Sequence, residues 1–462
     1  MTPVSPSYFD ALYEQTDKMV KTLCEWIAIP SVANENATDG TPYGRACLRM
    51  LEKIEEDARA LGLCACRNFD GHVLTVDLLE NAPTALGIAC HADVVGAGRE
   101  GWRTDPWQAT VQDGCIFGRG ASDNKGAGVS ALYALAFLKK QGLLHKNIRL
   151  YFGSDEENGS ACLRYYQEHY ERPEDMPPII VPDAGNEIVH GEWGILRASL
   201  SASLSQGKGA SLLSISAGEA MNIIPGRAEA RLSGVSLSSV NEAIRQVGKE
   251  GLSAVEEGDT VLLTATGKSC HSSMPSQGFN AALLLLSALC RLPFSSETVA
   301  VLSTLYTLYT TPPSFIGQLL EKACLTFSLT GLFFKDGRLS TWHDSRYSYS
   351  VTARSIEEAI EGALGASALF ASFQRIGAPH LIEKDHPFVM RLADIYEECQ
   401  KEKATVTEMR AGTYASSLDL GVAYGQFEGG NIHGIDEYLP IDCLPKTAKL
   451  LAYTAYRMAE EQ

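Results

Sequence analysis

Ala85-Leu86-Gly87-Ile88-Ala89-Cys90-His91-Ala92-Asp93 is a short apolar run that stops at polar, chemically capable side chains. Its leading five residues are too few for a helix and lack polar alternation, the pattern of a strand buried on both faces. Working outward, 73–79 reads as a second strand. The segment 47–61 reads as an amphipathic helix, with Cys47, Leu51, Ile54, Ala58 and Leu61 on one face and Gly62 to end it. On the other side, 125–141 reads as a buried helix rich in Ala and Leu, closed by Gly142. Then come a strand at 148–152, a helix at 162–170 and a strand at 179–181. Strands separated by helices predict an α/β fold with a mostly parallel sheet flanked by helices. In such sheets functional side chains gather beyond the carboxyl ends of the strands.

From 189 to 379 the texture changes. Ser and Gly become common and short alternating strands are expected at 196–204, 261–265 and 347–353, with helices between them. This predicts an inserted α+β domain. Helical periodicity returns at 387–403 and 445–460. The expected organisation is one discontinuous domain, 1–188 and 380–462, interrupted by the insert at 189–379. An insert of about 190 residues is longer than one α+β layer needs, so two sub-lobes are expected, the second imitating a partner subunit and leaving the protein a monomer.

Composition narrows the function. With 39 Lys and Arg against 56 Asp and Glu, the net charge of −17 disfavours nucleic acid as a partner. The longest apolar run, 281–290, is broken by Ser287 and falls far short of the ~20 residues that span a bilayer, so no membrane partner is expected. The N-terminus has neither the basic nor the apolar region of a secretory signal, and the 12 cysteines form no C-x-x-C pair. A reduced, cytoplasmic setting follows as an expectation.

Four segments put polar groups directly after expected strands or ahead of the 125–141 helix. His91 and Asp93 lie two apart on extended chain, so the carboxylate can accept one imidazole N–H and aim the other nitrogen at a metal. Ser122-Asp123-Asn124-Lys125 precedes the helix; all but the lysine favour an N-cap, and Ser122-x-x-Lys125 is a short match to a serine-nucleophile pattern without that pattern's partner motifs. Asp155-Glu156-Glu157 follows 148–152, where neighbouring acids repel unless cations compensate them or the turn is simply an exposed one. Asp183 follows 179–181, and His433 sits in the Gly-rich stretch Gly429-Gly430-Asn431-Ile432-His433. Together these supply two His and three carboxylates, the complement of a pair of divalent ions. Two such ions against Asp123, Glu157, Asp183 and one hydroxide balance to zero charge, and Glu156 remains as a base.

The series His91-Ala92-Asp93, Gly101-Trp102, Asp105-Pro106-Trp107, Gly118-Arg119-Gly120, Ser122-Asp123-Asn124-Lys125-Gly126, Asp155-Glu156-Glu157, Pro182-Asp183-Ala184, Gly267-Lys268-Ser269-Cys270-His271, Gly412-Thr413-Tyr414-Ala415 and His433 resembles the dinuclear metallopeptidases related to carboxypeptidase G, aminoacylase and carnosinase. The large insert is most similar to that of the PepV-type bacterial dipeptidases. The resemblance implies a catalytic domain and an inserted lid. It implies that His91 and Asp183 bind one metal, Glu157 and His433 the other, that Asp123 bridges them, that Asp93 orients His91 and that Glu156 is the general base. It further implies that His271 and Asn222 steady an oxyanion and that Arg354 grips a substrate carboxylate. The expected cofactors are two divalent ions, zinc first and manganese or cobalt as alternatives. The expected activity is hydrolysis of short peptides, dipeptides above all. An amidohydrolase acting on N-acyl amino acids and a metal-free binding relative are the alternatives. Three departures from the family pattern bear on specificity: Asn124 in place of a second Asp, Ser416 in place of an Arg, and Glu428 within Phe427-Glu428-Gly429 in place of a proline.

Overall fold

The computed structural model describes residues 4–98, 101–204, 209–365 and 367–460. The chain divides into two compact units, Met1–Glu192 with His380–Gln462, and Trp193–Pro379.

The first unit is built on a nine-stranded mixed sheet. At its centre Asn147–Gly153, Thr84–His91, Ile179–Val181 and Gly421–Ala423 run side by side in parallel. Antiparallel strands complete both flanks, Val73–Asp77 and Ala65–Phe69 on one side and Ile188–Glu192 on the other. The apolar run at 85–90 is buried on both faces, as its lack of alternation requires. Leu86, Ile88 and Cys90 enter the larger core with the helices Thr16–Ile27, Lys125–Gln141 and Cys443–Glu460. Ala89 enters a second core with Tyr151, Val181 and the helix Ala161–His169. Helices therefore cover both faces of a largely parallel sheet, as the alternation of strands and helices predicts.

The second unit is an α+β layer. Eight of its strands form one antiparallel sheet, not two separate sub-lobes, and Ile223–Ile224 and Cys270–His271 form a small sheet of their own. The larger sheet nevertheless has two halves. One half orders Leu252–Glu257, Thr260–Thr266, Arg227–Ser233 and Ser211–Ala217; the other orders Leu325–Lys335, Arg338–Tyr347, Gly194–Ser203 and Phe370–Gly377. Among the described residues, the strand pairing that joins them is Ile215–Phe334, Ser216–Phe333 and Ala217–Leu332. The strand expected at 347–353 is corrected. The strand ends at Tyr347, and Thr352 accepts the Ser355 N–H at 3.2 Å to cap the helix Ala353–Leu364. Alternating Ser348, Ser350 and Thr352 imitate a strand, while hydroxyl capping turns the chain into a helix.

Candidate metal centre

The carboxyl ends of the four central parallel strands deliver the chemistry. His91 closes Thr84–His91 and pairs with Gly153, the last residue before Ser154-Asp155-Glu156-Glu157. Asp183 follows Val181, and the loop carrying His433 follows Ala423. Asp123 arrives from the turn before the Lys125–Gln141 helix, where Gly126 lets the helix press against the turn. A Cβ on Gly126 would stand 2.4 Å from the Ala121 carbonyl oxygen.

Two ligand groups form around one carboxylate. His91, Asp123 and Asp183 make the first; Asp123, Glu157 and His433 make the second, with the ligand atoms of each group within 4.8 Å of one another. Asp123 turns one oxygen to each imidazole: Oδ1 lies 2.9 Å from His91 Nε2 and Oδ2 lies 2.8 Å from His433 Nε2. His91 Nε2 is also 3.7 Å from Asp183 Oδ2, and His433 Nε2 is 3.0 Å from Glu157 Oε2. Imidazole and carboxylate donors at these spacings suit zinc and its divalent neighbours, so the donor set fits a pair of ions sharing Asp123.

The electrostatics of the bare protein describe a site short of positive charge. Burial opposes protonation of His433, but hydrogen bonds to Asp123 and Glu157 outweigh it and push the imidazole up to about 11. His91 is likewise raised against its burial, by Asp183 and Asp123. Burial, then Asp123, pushes Glu157 up to about 7. Burial raises Glu156 well above the carboxylate range, with Asp183 and Glu157 adding to it and His91 opposing.

A surrounding set of contacts fixes the ligands, and most of it is invisible to motif reading. Glu437, fully buried, accepts the backbone N–H groups of Gly120, Ser122 and Asp123 at 3.2, 3.0 and 3.1 Å and pairs with Arg119. Asn124 donates its side-chain amide to the Pro182 carbonyl at 2.7 Å and to Asp183 Oδ1 at 2.9 Å. Lys125 donates to the carbonyls of Trp26 and Ile29 at 2.9 and 2.7 Å, and burial pushes it down to about 7. Its ammonium is thus engaged with the main chain, while Ser122 Oγ accepts the Gly429 N–H, so the S-x-x-K arrangement is structural.

Asp93 needs a correction. The His91 imidazole stands 2.9 Å from the Asp93 main-chain carbonyl and 3.7 Å from its carboxylate. The carboxylate instead accepts the Glu156 and Glu157 N–H groups at 3.0 and 3.1 Å. A completely buried acid facing two consecutive amides satisfies itself on that turn, which leaves the carbonyl to set the imidazole.

The residues expected to face substrate belong to the second unit. Asn222 and His271 are brought together: Ile223–Ile224 pairs with Cys270–His271, and the Ser272 N–H donates to the Asn222 carbonyl at 2.9 Å. Arg354 does not join them. It is an exposed residue of the first turn of Ala353–Leu364, paired with Glu358 at 2.7 Å. A buried arginine tied to this neighbourhood is Arg346. Its Nε donates to Asp344 Oδ2 at 2.8 Å, and the same oxygen accepts Ser272 Oγ at 2.7 Å. The available signal was Asp344-x-Arg346, two residues sharing one face of a strand.

The matched family model is that of the Peptidase family M20/M25/M40, over residues 87–457. A Bacillus subtilis protein named "Putative dipeptidase YtjP" is 31% identical over 465 residues, which cover 96% of this chain and 98% of that one. Among solved structures, the Saccharomyces cerevisiae di-peptidase Dug1p shares the fold with a TM-score of 0.63 at 12% identity, over 98% of each chain. Human carnosine dipeptidase 1 does so with a TM-score of 0.60 at 17% identity, over 98% of this chain and 99% of that one. The family match spans most of the chain, including Asp123 and the four side chains gathered around it: the chain belongs to the Peptidase family M20/M25/M40.

Proposed function

We propose that this chain is a dinuclear metal-dependent dipeptidase, with zinc the first choice of ion. The observation that carries the reading is Asp123, whose two oxygens face two different histidines. His91, Asp123, Asp183, Glu157 and His433 would hold two divalent ions, which would supply Lewis acidity and a water with its pKa lowered to about 7. Glu156 takes the proton of the attacking water and returns it to the leaving amine. Asp93 holds the consecutive N–H groups of Glu156 and Glu157, so base and ligand keep a fixed spacing. His271 and Asn222 steady the oxyanion, and Arg346, in place of Arg354, grips the carboxylate of the substrate. We read the inserted unit as the lid that carries these substrate-facing side chains.

We further read the protein as a cytoplasmic monomer. Its cysteines are free thiols, and the two sheet halves that separate subunits could have supplied are present in one chain. A sedimenting mass near twice 50.0 kDa would defeat the monomer reading.

The test of function is metal analysis followed by a dipeptide library assayed with added zinc, manganese or cobalt. Two ions per chain, with turnover abolished by chelation, is the expected result. Purified protein that holds no ion after metal addition, or hydrolyses no dipeptide in the library, would overturn the reading.

A further inference from the structure

Glu428 stands where the resembled family's pattern has a proline, and nothing in the metal site uses it. It lies outside both ligand groups. Its main chain is pinned on either side: the Phe427 N–H donates to Thr447 Oγ1 at 3.0 Å and the Gly429 N–H donates to Ser122 Oγ at 3.0 Å. Its carboxylate reaches over Gly185, two residues beyond Asp183. A Cβ on Gly185 would meet Glu428 Oε1 at 3.1 Å, so the side chain occupies room that only glycine leaves. The residue keeps some exposure, and its carboxylate makes no hydrogen bond or ion pair among the described residues. Burial, then the neighbouring acids Asp183, Asp123 and Glu187, pushes this carboxyl up to about 7.

The charge count makes this placement informative. Two divalent ions are balanced by Asp123, Glu157, Asp183 and a hydroxide, and Glu156 is occupied with the proton. Glu428 is therefore a surplus acid at the edge of the centre, one that a cation placed beside it would hold in its ionised form. A dipeptide carries the matching positive charge in a fixed place. Its α-ammonium nitrogen sits on the carbon next to the scissile carbonyl, about 2.5 Å from the carbonyl carbon. An acceptor for that ammonium must lie beside the metal ligands, where Glu428 is. We propose that Glu428 binds the α-ammonium of the substrate and selects peptides with a free amino terminus over N-acyl amino acids. This inference rests on the dipeptidase reading.

The test compares L-alanyl-L-alanine with N-propionyl-L-alanine, which differ only in the ammonium group, on metal-loaded wild-type protein and Glu428→Gln. Wild type should prefer the dipeptide at least tenfold in kcat/KM. Glu428→Gln should shrink that preference by about 10- to 100-fold, the scale of a charged hydrogen bond, chiefly through KM and with two ions still bound. Glu428→Asp should restore part of it. An unchanged preference, equal losses on both substrates, or a lost ion would overturn the assignment. So would wild-type protein that cleaves N-propionyl-L-alanine as readily as the dipeptide. If wild type cleaves neither these nor any library dipeptide, the dipeptidase reading itself fails and takes the anchor with it.

Discussion

The Asn124 amide donates to Asp183 Oδ1 at 2.9 Å, so a residue next to Asp123, which both ligand groups share, holds a carboxylate that belongs to one group only. An aspartate there would face Asp183 charge to charge. Asn124→Asp is expected to weaken one of two metal equilibria by the 10–100-fold typical of lost supporting contacts, leaving the other nearly unchanged. Metal titration by calorimetry checks this, and two equally weakened sites would contradict it.

Glu156 and Glu157 are neighbours to which the proposed reading gives separate duties. Glu156→Gln should keep both ions while kcat falls by about 10²–10⁴-fold. Glu157→Gln should release the ion it shares with His433. Metal content and turnover measured on the same preparation decide between the roles, and reversed outcomes would mean that they have been exchanged.

Arg346 and Arg354 should part company kinetically. Arg346→Ala is expected to raise KM for dipeptides and to do little further harm on a dipeptide amide, which lacks the carboxylate. Arg354→Ala, at an exposed helical site, should leave kinetics unaltered and stability within about 0.5 kcal/mol. Asp344→Asn removes the charge that Arg346 pairs with inside the sheet, and should cost about 3 kcal/mol in denaturant unfolding. A silent Arg346→Ala would return the role to another residue.

His343, in the second unit, supplies a pH test. Its ring stacks with Tyr309 and Phe327, lies 2.6 Å from Thr341 Oγ1 and meets the Tyr309 hydroxyl, and burial pushes it down to about 3. The unfolded chain takes up its proton near 6.5, well before the folded one does. The contribution is therefore fully present above about pH 6.5 and is lost as pH falls from there toward 3. Urea midpoints between pH 4.5 and 7 should slope less steeply in His343→Gln than in wild type. Parallel slopes would show that the histidine titrates normally when folded.

Local pattern carried much of this structure. The helix at 125–141 and the strand at 179–181 follow from apolar runs and glycine stops, and the ligands lie where such strands must end. What escaped depends on contacts between distant parts of the chain. Glu437 reaches Asp123 across more than 300 positions, and nothing near either residue signals the pairing. Arg346 and Arg354 look alike in sequence; burial beside Asp344 separates them, and burial is a property of the sheet. Asp93 was placed next to His91 correctly, but which of its oxygens serves the imidazole depends on a turn formed some 60 residues later.

The strand Gly421–Ala423 lies between Ile179–Val181 and Ile188–Glu192, so the centre of the sheet waits for a segment made some 230 residues afterward. During synthesis the inserted unit has all its strands before that piece exists and can order first, while the flanking halves of the first sheet keep a gap with unpaired edges. Closing that gap late in translation also brings in His433 and Glu437. The nascent chain consequently holds an incomplete ligand set until its final segment docks, and a peptide-cutting centre cannot arise on a half-made protein.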